Sequence, residues 1–91
     1  MQDEVYVHPR VSERHPEIAE QDVRDAWMSC IRFVPRLDKN PNEYLAVGMD
    51  GHGRLVEMIA CQVAFGSYVV YHALTPPTRR VLFELGMAKR R

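Results

Sequence analysis

His72 closes an apolar stretch that runs from Ser67, and Thr75, Thr78, Arg79 and Arg80 follow it closely. Imidazole, hydroxyl and guanidinium groups thus meet at one strand-to-helix corner. Such a corner suits an anion, phosphate above all, because a helix N-terminus offers unpaired N–H groups and the positive end of the helix dipole. Histidine alone titrates near neutral pH at its unperturbed pKa, so His72 is the first candidate for proton transfer. A hydrogen-bonded structural histidine is the competing reading. His15, between Arg14 and Pro16, is the second candidate. Glu57 is the third, because it interrupts an otherwise apolar strand face and needs a partner there. Arg14, Arg79 or Arg80 could supply that partner, in a structural ion pair or beside a catalytic base.

Other chemistries find no support. There is no Gly-rich phosphate loop, no GxSxG elbow and no paired acidic motif, which argues against nucleophilic hydrolases and nucleotide hydrolysis. The four histidines show neither HxH nor HxxxH spacing, so no metal site and no cofactor is expected. Cys30 and Cys61 lack CxxC or Cys/His spacing and read as reduced core residues. What remains is general acid/base chemistry assisted by arginine. That is sufficient to cleave RNA through its 2′-hydroxyl without a metal.

The chain has 91 residues, 46% of them hydrophobic, enough for one domain with a small core. The net charge is +0, so no global field attracts nucleic acid. The charge is unevenly spread. After Asp50 the only acids are Glu57 and Glu84, whereas Arg54, Arg79, Arg80, Lys89, Arg90 and Arg91 make that half basic. Arginine outnumbers lysine, which favours forked contacts to phosphate, although a GC-rich genome produces the same bias. No apolar run approaches the roughly 20 residues of a membrane span. The acidic Met1–Glu4 start lacks a signal-peptide layout, so a cytoplasmic protein without membrane contact is expected.

These groups must be positioned by a helical front and a β-rich back. Residues 8–15 read as a short helix, opened by Pro9 and closed by Pro16. A second helix is expected over Glu20–Phe33, with Val23, Ala26, Trp27, Cys30 and Ile31 on one apolar face and Trp27 as a core anchor. Pro35–Asn42 reads as a loop. Three strands follow, Tyr44–Asp50, Arg54–Ala64 and Tyr68–Leu74, joined by an Asp50-Gly51 hairpin and a turn at Gly66. Thr75 is the expected N-cap of a last helix that carries Pro76 and Pro77 in its first turn and stops at Gly86. The expected fold is α+β: two N-terminal helices, a three-stranded antiparallel meander and a C-terminal helix. Alternation groups Leu55, Glu57, Ile59, Cys61 and Val63 on the face toward the helices, and His72 with Tyr68, Val70 and Leu74.

Several short words resemble those of the BrnT-type toxins, which belong with the RelE-like ribonuclease toxins of bacterial toxin–antitoxin modules. Arg14-His15-Pro16 stands where that family carries Lys-His-Gly. Gly48 stands for the glycine before its central strand, and Gly53-Arg54-Leu55 for the Gly-Arg-Leu that follows. His72-Ala73-Leu74 and Thr78-Arg79-Arg80-Val81 correspond to Ser-Ala-Arg and Thr-Arg-Arg-Glu. Leu74 replaces an arginine, Val81 replaces an acid, and Pro76-Pro77 is an insertion. The likeness covers roughly residues 8–86. It implies a RelE-like domain, metal-free mRNA cleavage and neutralisation by an antitoxin. On that reading His72, His15, Glu57 and Arg79 act catalytically, and Arg14, Arg54, Arg80, Thr75 and Thr78 bind RNA phosphate. The implied partners are a cognate antitoxin and RNA, free or on the ribosome, with a homodimer left open. The alternative is a non-catalytic protein-binding module of the same fold, with Phe33, Phe65 and Phe83 as its contact surface. A small-molecule enzyme or sensor needs a deeper pocket than so short a chain encloses.

Overall fold

The computed structural model describes residues 4–36, 40 and 42–88. Much of the expected loop over 35–42 lies outside the described residues, as do Met1–Asp3 and the basic Lys89–Arg91. Among the described residues the chain is α+β, with five strands in one mixed sheet and three helices. The strands are β1 (Glu4–Val7), β2 (Cys30–Pro35), β3 (Glu43–Met49), β4 (Leu55–Ala64) and β5 (Ser67–Leu74). The helices are α1 (Arg10–Arg14), α2 (Glu20–Met28) and α3 (Arg79–Glu84).

The spatial order is β1-β5-β4-β3-β2. The expected β3-β4-β5 meander forms the middle, but it is not the whole sheet. β2 adds antiparallel to β3, and β1 adds parallel to β5. The second helix therefore ends five residues earlier than its periodicity predicts. Ser29 is its C-cap, and its hydroxyl donates to the Asp25 carbonyl (2.8 Å) and the Met49 carbonyl (2.6 Å). Cys30 and Ile31 fit the helical face, but they also open a β-branched, alternating run that pairs with β3. Cys30 is consequently exposed and Cys61 only half-buried, so neither is the core residue expected. Trp27 does anchor the core, at 7% exposure.

Both faces of the sheet are covered. On one, Val56, Met58 and Ala60 of β4 pack with Val11 of α1 and Val23, Ala26 and Trp27 of α2. On the other, Leu55 and Ile59 join Leu45 and Val47 under Val81 of α3 and its C-cap Leu85. The face bearing Glu57 thus meets α3, while the two front helices lie on the opposite face. Gly48 sets the spacing of α2 on β3. A Cβ there would overlap the Ala26 carbonyl oxygen and lie 2.7 Å from its carbon.

The β3–β4 hairpin is held by a buried carboxylate. Asp50 accepts from the N–H groups of His52 and Arg54, both at 2.9 Å, and from Arg54 Nε at 2.8 Å. Gly53 takes the left-handed φ of 79° that closes the turn. Arg54 also donates to Asp22 (3.2 Å), which itself accepts from the Ala19 N–H (2.8 Å) at the start of α2. Asp22–Arg54–Asp50 therefore ties the hairpin to the helix. Burial raises the Asp50 pKa, but hydrogen bonds from Arg54 and the His52 N–H outweigh it and hold the carboxyl below its ordinary 3.8. A carboxylate shifted down contributes stability above its unfolded pKa and loses it as pH falls through the folded value. Replacing Asp50 with alanine is expected to cost about 3 kcal/mol at pH 7, because three donors lose their acceptor. The difference from wild type should shrink as the pH falls below about 4, which thermal melts across pH will measure.

Candidate functional site

β1 ends at Val7, opposite Val70, and the His8 N–H then donates to the Val70 carbonyl at 2.8 Å. Beyond that point α1 takes the place of a strand beside β5. The Ser12 hydroxyl donates to the Ile18 carbonyl (3.1 Å), folding the following turn back, and Val11 and Ile18 are buried. A cleft of about 220 Å³ remains between α1 and the open end of β5. It is lined by Arg10, Val11, Arg14 and His15 from the front and by Ile59, Tyr71, His72 and Ala73 from the sheet.

A β-bulge aims the sheet residues. Ile59 pairs with His72 and Ala60 with Val70, so Tyr71 is the extra residue. The bulge breaks the simple alternation expected for β5. Tyr68, Val70 and Ala73 face α1 and α2, whereas His72 turns toward Glu57 on the α3 face. Burial and the Glu43 charge push the Tyr71 hydroxyl up to about 12, so it stays protonated at neutral pH.

Glu57 is 3% exposed, and its partner is not an arginine. One carboxylate oxygen lies 2.8 Å from His72 Nε2, and the other accepts from the Thr78 N–H at 2.7 Å. The expected anion at the strand-to-helix corner is therefore internal: the Glu57 carboxylate occupies the start of α3. Burial raises its pKa, but the bonds from His72 and Thr78 outweigh that and hold it below its ordinary 4.5. An ionised Glu57 accepts a hydrogen bond from Nε2–H of His72. The neutral ring then keeps Nδ1 as its acceptor. His72 is a third exposed through its side chain and lines the cleft.

The remaining candidates divide. Arg14 and His15 line the cleft with His72. His15 Nδ1 lies 3.7 Å from Glu17. Arg79 and Arg80 are exposed on the first turn of α3 and are not among the cleft residues. Arg54 is paired with Asp50 and Asp22 and is not among the cleft residues. Thr75 is not the N-cap; its hydroxyl donates to the Leu55 carbonyl at 2.6 Å. Thr78 is the cap, its oxygen accepting from the Val81 N–H at 3.2 Å, and Pro76 and Pro77 precede the helix. Arg10 is a cleft residue that the motif reading missed. Its signal was the i, i+4 spacing to Arg14, which puts both side chains on one helical face. No family model, curated protein or solved structure matches the chain.

Proposed function

We propose that the protein is a metal-independent endoribonuclease, acting as the toxin of a toxin–antitoxin module on a RelE-like fold. The observation that carries the reading is one cleft that gathers the Glu57-bound His72, His15, Arg10 and Arg14. In the reaction His72 Nδ1 takes the proton of a ribose 2′-hydroxyl as O2′ attacks the adjacent phosphorus. A 2′,3′-cyclic phosphate forms, the P–O5′ bond breaks, and protonated His15 gives its proton to the leaving O5′. Arg14 stabilises the charge of the crowded phosphorane. Glu57 fixes the His72 tautomer and supports the imidazolium that forms. The absent family arginine at Leu74 is offset, on this reading, by Arg14 from α1.

Incubation of the purified protein with single-stranded RNA and excess chelator tests the proposal. Cleavage with cyclic-phosphate ends, and a bell-shaped pH–rate profile, is the expected result. Folded protein that leaves the RNA intact overturns it.

Protein binding has support of its own from the exposed edge strand β2, where Ile31 is 45% and Phe33 40% exposed. An antitoxin segment is the partner this surface suggests on the proposed reading. The three phenylalanines of the alternative reading lie on different elements. Phe33 is on β2, stacked on Tyr44 at 4.8 Å; Phe65 is at the β4–β5 turn; Phe83 is on α3. β2 rather than the phenylalanine set is therefore the candidate contact.

A further inference from the structure

The cleft holds two arginines, whereas the chemistry of a single phosphodiester requires only one. Arg10 and Arg14 stand one helical turn apart on α1, and both line the cleft. Side chains at this spacing start about 5–6 Å apart. Successive phosphates of an extended strand can therefore each meet one guanidinium. Among the described residues neither arginine forms an ion pair with an acid, so each is available to an anion. The Arg10 N–H donates to His8 Nδ1 at 3.1 Å, which fixes this residue at the start of α1. The cleft volume of about 220 Å³ lies below the roughly 300 Å³ at which drug-sized sites begin, so it suits about one nucleotide unit. A neighbouring phosphate must then lie at its rim.

We propose that Arg10 forms a second phosphate subsite, one nucleotide from the phosphate held by Arg14, so that the enzyme selects single-stranded oligonucleotides over dinucleotides. This rests on the ribonuclease reading above. It adds a length requirement that general acid/base chemistry alone does not impose. The binding energy at Arg10 is remote from the reacting bond and serves to orient the scissile phosphate between His72 and His15.

The test uses the whole chain and two kinds of probe. The first is a labelled 2′-deoxy oligonucleotide, which binds but lacks the attacking hydroxyl. Its affinity is titrated against salt for the wild type and for Arg10→Gln, with melting curves confirming that both are folded. The logarithmic salt slope should fall by about 0.7 in Arg10→Gln, the loss of one phosphate contact on a single strand. The second probe is a set of three substrates with a single ribose: a dinucleotide, and one trinucleotide extended on each side. Wild type should favour a trinucleotide by about tenfold or more in kcat/KM, and Arg10→Gln should reduce that ratio toward one. An unchanged salt slope together with an unchanged length preference overturns the subsite while leaving cleavage intact. A slope that depends on Arg10, without RNA cleavage by the wild type, retains the phosphate site and sinks the ribonuclease reading. Absence of oligonucleotide binding overturns the subsite, and RNA cleavage alone decides the ribonuclease reading.

Discussion

On the ribonuclease proposal, replacing His72 with alanine is expected to lower RNA cleavage by about 10²–10⁴-fold, the usual contribution of a positioned acid or base. Expression of this variant should no longer slow growth. The variant also strips a partner from the buried Glu57 carboxylate, so its fold must be checked by circular dichroism and melting. Glu57→Gln separates the two effects. The amide oxygen can still accept from the Thr78 N–H, and the side chain keeps its volume. Its NH₂ group, however, donates where the carboxylate accepted. That favours the His72 tautomer with the proton on Nδ1, which removes the base. Activity should fall with the melting temperature little changed, and the acidic limb of the pH–rate profile should move. Full activity in His72→Ala would remove His72 from the mechanism.

The second large effect concerns stability. Gly48→Ala places a methyl group against backbone rather than against a side chain that can swing away. α2 must retreat from β3, which loosens the packing of Val23, Ala26 and Trp27. A cost of about 3 kcal/mol is expected for this overpacking. In a chain of this size that corresponds to a fall of about 15 °C in melting temperature. Gly51→Ala is the matched control, since its Cβ would approach only the Asp25 carboxylate, at 3.0 Å. Equal melting temperatures for the two variants would show that α2 does not depend on close approach at Gly48.

Where a signal was local, it was legible in the sequence. The β3–β4 hairpin at Asp50-Gly51 and the stop at Gly86 depend on neighbouring residues and turn chemistry, and both appear in the fold, although the positive φ of the hairpin falls at Gly53 rather than Gly51. Segments with two local solutions were not legible. Cys30-Ile31 continues the helical face of Trp27 as well as it begins a strand, and only pairing with β3 decides between them. Glu4–Val7 alternates in the manner of a strand, but four residues gain strand geometry only through a partner, here β5 across most of the chain.

The candidate site follows the same division. In the sequence His72, His15 and Glu57 stood out as proton-transfer candidates, and the arginines, with Arg79 and Arg80 at the corner, as phosphate contacts; residue type marks all of them, and an apolar strand marks His72 and Glu57. An anion is also expected at the corner before α3. Tertiary structure decided which groups meet. The bulge at Tyr71 rotates His72 toward Glu57, and the early end of β1 opens a cleft that α1 fills with Arg10, Arg14 and His15. Arg54 pairs with Asp50 and Asp22 and is not among the cleft residues. The corner does hold an anion, but it is the chain's own Glu57. A buried carboxylate must find donors, and the His72 ring and the Thr78 N–H are those the folded sheet brings within reach.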